Sequence, residues 1–202
     1  MYVSDATENS ITLNWVPGNA DSSWELETST DNNTWTSEGT VTTAPYTLSN
    51  LNSNTLYYFR LRSVCGGSDY SNWATVSQRT DCAPIATLPF VENFDSYTGT
   101  TNTSMAVNNL PYCWSNINEG THTSYSGCPS IYSSSSTATS GNNSVRFYTY
   151  ITSGTYDDQI AVLPAIDVNT LTMNTLQLTF DARALSTSYP FNLEIGVLTD
   201  PT

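Results

Sequence analysis

Apolar and polar residues alternate one by one along this chain, in runs too short for a helix and closed by Asn, Gly, Ser or Pro. A period of two marks strands with one buried face. Ile11, Leu13 and Trp15 point one way, with Thr12 and Asn14 the other. Trp24, Leu26 and Thr28 alternate with Glu25 and Glu27, and Tyr57, Phe59 and Leu61 with Tyr58, Arg60 and Arg62. Pro17-Gly18 and Asp31-Asn32-Asn33 supply turns between such runs. No segment carries convincing helical periodicity, so the fold class is predicted as all-β.

Charge narrows the function. The 202 residues hold 18 acids and 5 basic residues, a net charge of −13, and all five basic residues are arginine. An acidic surface repels phosphate backbones, which argues against nucleic acid as a partner. Without lysine there is no P-loop and no Schiff base. Hydrophobic residues still reach 38% and aromatics 12%, enough for folded cores and not a disordered acidic tail. No apolar stretch has the length needed to cross a bilayer, so membrane insertion is not expected. No signal peptide is visible after Met1-Tyr2-Val3-Ser4, and the chain is read as a piece of a longer secreted protein.

Four cysteines permit three pairings. No Cys-x-x-Cys occurs, and a single histidine leaves a zinc site short of ligands. A surface rich in Ser, Thr and Asn suits an oxidising, extracellular compartment. The expected bridges are therefore Cys65–Cys82 and Cys113–Cys128, each closing a short local loop, with four reduced and buried thiols as the alternative.

Residues 2–80 resemble a fibronectin type III domain. The resemblance rests on Ser10-Ile11-Thr12-Leu13-Asn14-Trp15, on Leu51 six residues before Tyr57, and on Ser71-Asn72-Trp73 followed by Gln78-Arg79-Thr80. It implies an Ig-like sandwich with Trp15 in the core, in which the Tyr57 hydroxyl bonds a backbone group upstream. Trp24, Trp35 and Trp73 are expected to pack inside this sandwich, and the opening strand to be short. The domain is placed at residues 1–81, with a short proline-containing linker over 82–87.

From Leu88 the pattern restarts and continues to residue 202. Pro89-Phe90-Val91-Glu92-Asn93-Phe94-Asp95, Cys113-Trp114, and Asp157-Asp158 before Leu163-Pro164-Ala165-Ile166 resemble the β jelly-roll domains of the MAM, cleaved-adhesin and choice-of-anchor J group of secreted bacterial proteins. Strands are predicted over 145–151, 160–167, 176–183 and 191–197. Domains of that group continue for several more strands, so a jelly roll with late strands missing is expected. Ser133 to Asn143 reads as a long, polar, solvated loop, mobile unless a ligand or neighbour orders it.

Catalysis finds no support. Nucleophilic chemistry needs a base beside its nucleophile, and His122 stands alone in a loop without a Gly-x-Ser-x-Gly elbow. The resemblance implies a structural Ca²⁺ held by Glu92 and Asp95 with Asp157, Asp158 or Asp181, the alternative being ordinary solvated carboxylates. The aromatics suggest a glycan platform. Arg146, Tyr148 and Tyr150 share one strand face, joined by Trp114, Tyr125 and Tyr132, unless the sheets bury some of these rings and scatter the rest. The expected function is a non-catalytic, extracellular adhesion or glycan-binding segment, with the fibronectin-like unit as spacer and neighbouring domains of the parent chain, a glycan or a host or cell surface as partners. A structural stalk and an accessory module of a secreted hydrolase are the alternatives.

Overall fold

A computed structural model describes residues 1–18, 21–101, 109–118, 129–148, 159–184 and 192–198. The chain divides into two compact units, Met1–Ala83 and Pro84–Thr202. It is all-β, and among the described residues the one helical turn is a 3-10 turn at Met173–Thr175. No described helix is long and apolar enough to cross a membrane.

The first unit holds β1 (Tyr2–Ala6), β2 (Ser10–Asn14), β3 (Trp24–Ser29), β4 (Thr36–Val41), β5 (Tyr46–Ser49), β6 (Leu56–Gly66), β7 (Asp69–Tyr70) and β8 (Ala74–Arg79). One sheet runs β1-β2-β5. The other runs β4-β3-β6, with β7 and β8 both on the far side of β6. The period of two decides which residues meet between the sheets. Ile11, Leu13, Trp15, Trp24, Leu26, Leu48, Tyr57, Phe59 and Leu61 form the buried cluster, joined by Val41. Trp15 and Trp24 pack edge to face at 5.4 Å, an arrangement that suits ring quadrupoles. The opening strand does form, with a register irregularity between Val3 and Asp5.

At the corner between the sheets, the backbone N–H of Asn52 donates to the Tyr57 hydroxyl at 3.0 Å. Thr80 completes the corner. Its Oγ1 donates to the Asn52 carbonyl at 2.7 Å and accepts from the Thr55 N–H at 3.0 Å. The expected tyrosine corner is thus present.

The second unit contains β9 (Ser115–Asn118), β10 (Ser130–Ser133), β11 (Asn143–Arg146) and β12 (Gln159–Val162). They form two antiparallel pairs, β10-β11 and β12-β9. Polar side chains do much of the tying here. Asn143 is buried, and its Nδ2 donates to the carbonyls of Phe94 and Tyr97 at 2.9 and 2.7 Å. Asn109 mimics a strand partner: its Oδ1 accepts from the Ile131 N–H and its Nδ2 donates to the Ile131 carbonyl.

Three expectations change in this unit. The stretches 88–95, 176–183 and, over its described part, 192–197 carry the alternation of strands but are not strands. A strand exists only when a neighbour takes up its N–H and C=O groups, and among the described residues no ladder reaches them. Phe180 and Ile195 are accordingly 52% and 62% exposed. Secondly, the loop over Ser133 to Asn143, which joins β10 to β11, is tied by its own backbone. The N–H of Ser134 donates to the Asn142 carbonyl at 2.6 Å, and those of Thr137 and Ala138 to the Ser134 carbonyl. Thirdly, Ile85, which the sequence places in the linker, is fastened within the second unit by hydrogen bonds with Ala165 and Asp167.

Candidate functional site

Arg146 lies between two tyrosines, its guanidinium 4.2 Å from the Tyr132 ring centroid and 5.0 Å from that of Tyr148. Strand register explains the meeting. Ser130 pairs with Arg146 and Tyr132 with Ser144, so Tyr132 and Arg146 are diagonal neighbours on one face of the β10-β11 ribbon. Ile131 and Val145 face the other way, with Ile131 fully buried. Gln159 then fixes Tyr148 from β12: its Oε1 accepts from the Tyr148 N–H at 3.1 Å, and its Nε2 donates to the Tyr148 carbonyl at 2.8 Å. All three platform side chains are half-buried.

Of the other expected platform residues, Trp114 packs instead against Phe94, edge to face at 5.5 Å. Tyr125 and Tyr150 lie outside the described residues, as does His122.

Of the carboxylates expected to bind calcium, Glu92, Asp95 and Asp181 are among the described residues. Glu92 accepts from the Phe94 N–H at 2.7 Å and from the Tyr97 hydroxyl at 3.2 Å. Burial together with the Glu92 charge raises the Tyr97 phenol above its ordinary pKa. Asp95 lies against Gly141, and Asp181 is exposed. Asp157 and Asp158 fall outside the described residues. Among the described residues no group of three or more acidic, His or Cys side chains converges.

The cysteines correct another expectation. Cys65 is an exposed free thiol, while Cys82 and Cys113 are disulfide-bonded. Register shows why Cys65 and Cys82 do not pair. Leu56 at the start of β6 opposes Arg79, so Cys82 follows beyond that end. Cys65 stands at the opposite end of β6, about 30 Å away along an extended strand. Bridged cysteines need their Cα atoms within roughly 7 Å. Cys128 lies outside the described residues.

The first unit carries a feature that the sequence reading misplaced. Trp24 is buried, but Trp35 and Trp73 are half-exposed on the outer face of the larger sheet. Arg60 stacks on Trp35 and Trp73 at 4.3 and 4.6 Å, and Arg62 on Tyr70 and Trp73 at 3.8 and 4.4 Å. Arg60 also pairs with Glu27 and Arg62 with Glu25, directly across the β3-β6 ladder. The available signal was two arginines two residues apart on the polar face of one strand, with two glutamates at the same spacing on another.

A hydroxyl-rich depression on the same unit is lined by Thr28, Ser29, Asp31, Glu38, Tyr46 and Tyr57 among others. One Asp31 oxygen accepts from the Thr34 and Asn33 N–H groups and from the Ser29 hydroxyl. These donors hold the Asp31 carboxyl well below the usual carboxylate range.

No curated protein matches the chain. Among solved structures, the crystal structure of FN3tt is 27% identical over 38% of this chain and 82% of its own, with a TM-score of 0.35. The fibronectin type-III domain of human fibronectin type III domain containing protein 3 is 21% identical over 41% of this chain and 82% of its own, also at 0.35. Residues 1–78 match the family model of the fibronectin type III domain, and the first unit has that domain's sandwich fold.

Proposed function

We propose that this chain is a non-catalytic, extracellular binding segment in which the first unit acts as a spacer and the second contacts a glycan. The Tyr132–Arg146–Tyr148 cluster carries the reading. Sugar sites combine flat apolar surface with a few directed hydrogen bonds. Two tyrosine rings held by a guanidinium and by the Gln159 amide meet that description. Prior fixing of the side chains also limits the ordering cost of binding. A fibronectin type III unit and a disulfide are features of extracellular-type modules. In the first unit, Arg60 and Arg62 are paired with glutamates inside its own sheet, which suits a spacer.

Retention of the full chain on polysaccharide affinity gels and glycan arrays tests the proposal. Tyr132→Ala and Tyr148→Ala are each expected to weaken retention by about tenfold, the loss of one aromatic anchor worth roughly 1–2 kcal/mol. A folded chain that no polysaccharide retains would leave only the spacer role.

A further inference from the structure

Trp35, Arg60, Trp73, Arg62 and Tyr70 interleave in that order on the outer face of the larger sheet in the first unit. They come from four separate stretches: the β3-β4 turn, β6, β7 and the β7-β8 turn. We propose that this stack is a latch that fastens residues 64–75, the β6-β7 tip and the β7-β8 turn, to the rest of the sheet, so that the unit opens as one body and does not fray from that end.

By its own contacts this segment should be the weak end of the sandwich, although β6 and β8 themselves share a six-residue ladder. β7 has two residues and meets β6 only at Val64 and Gly66, with a register shift between them. Gly66 and Gly67 sit at positive φ, and residues 64–75 place no side chain in the buried core, which Val76 is the next to pack against. Segments with few buried contacts and short ladders open at the low end of local stability. Against that, Trp73 is held between two guanidiniums, and each guanidinium is pinned by a glutamate on β3. Tyr70 closes one end of the stack and Trp35 the other. Ser71 adds a second tie, its hydroxyl accepting from the Ser63 N–H and its N–H donating to the Ser63 carbonyl. Arginine is needed because its plane stacks on rings while its N–H edge grips a carboxylate, which an ammonium cannot do together.

Native-state hydrogen exchange on the full chain tests the latch. In Trp73→Ala, amides over 64–75 are expected to exchange about tenfold faster, the size expected from two lost cation–π contacts. Amides of Ile11 and Leu13 in β2 should keep their rates. Arg62→Lys preserves the charge opposite Glu25 but not the flat surface, and should loosen the same segment. Unchanged exchange over 64–75 in both variants overturns the latch. So does full protection in Arg62→Lys, which would leave an ion pair alone, and so does an equal rise in β2, which would mean a general loss of stability.

Discussion

Tyr57 shows how a single hydroxyl can fix a chain crossing. Its ring fills the sandwich core beside Phe59, stacked at 6.3 Å, while its oxygen receives the Asn52 N–H at the corner. Tyr57→Phe keeps the ring and removes the acceptor, and is expected to cost about 1 kcal/mol in urea unfolding. The corner was legible in sequence because a leucine six residues before a tyrosine is a fixed spacing that survives without knowledge of packing. Asp31 was legible only as a turn residue. Its role as acceptor for three donors depends on how the turn closes. Because its folded pKa is depressed, its contribution is present in full above the unfolded value near 4 and fades as pH falls below it. Asp31→Asn should therefore flatten the loss of stability between about pH 4 and pH 2, as followed by thermal unfolding across that range. An unchanged acid profile would show that the carboxylate charge contributes nothing there.

At the scale of elements, the β10-β11 hairpin depends on a glycine. Gly141 sits at φ +53°, and a Cβ there would run into the Asp95 carboxylate. Gly141→Ala is expected to destabilise the second unit by at least about 1 kcal/mol from the left-handed backbone alone. Adding Asp95→Ala should restore the part due to the clash and leave the backbone part, a non-additivity that a double-mutant cycle in thermal unfolding measures. Sequence reasoning located β2, β3 and β6 closely, because their alternating faces find partner strands and a shared core. The same alternation at Leu176–Arg183 misled, since alternation describes what a segment could bury and says nothing of a neighbour to pair with. The arginine stack was hidden for a related reason. Period two places Arg60 and Arg62 on the outer face, but the rings that cover them come from turns whose reach no periodicity encodes.

For the molecule as a whole, the cysteines separate two chemical situations. Short sequence separation favoured Cys65 with Cys82, yet antiparallel pairing of β6 with β8 sends the two to opposite ends of one strand. Sequence distance measures loop closure, whereas a bridge needs spatial proximity. Cys65 stands exposed near the tip of the β6-β7 hairpin, with its Sγ 4.0 Å from the Ser63 carbonyl and no sulfur partner. In the native chain without reductant, iodoacetamide should modify Cys65, and peptide mapping should find Cys82 and Cys113 alkylated only after reduction. Cys65→Ser should change stability by no more than about 0.5 kcal/mol, as befits an exposed site away from the core. The thiol also makes a sharp reporter of the hairpin. Its alkylation rate tracks access at the segment that the Trp73 stack holds down, so Cys65 should react faster in Trp73→Ala than in the parent chain. Identical rates in the two would mean that the thiol is fully presented whether or not the stack is closed, and that the hairpin tip moves independently of the rings behind it.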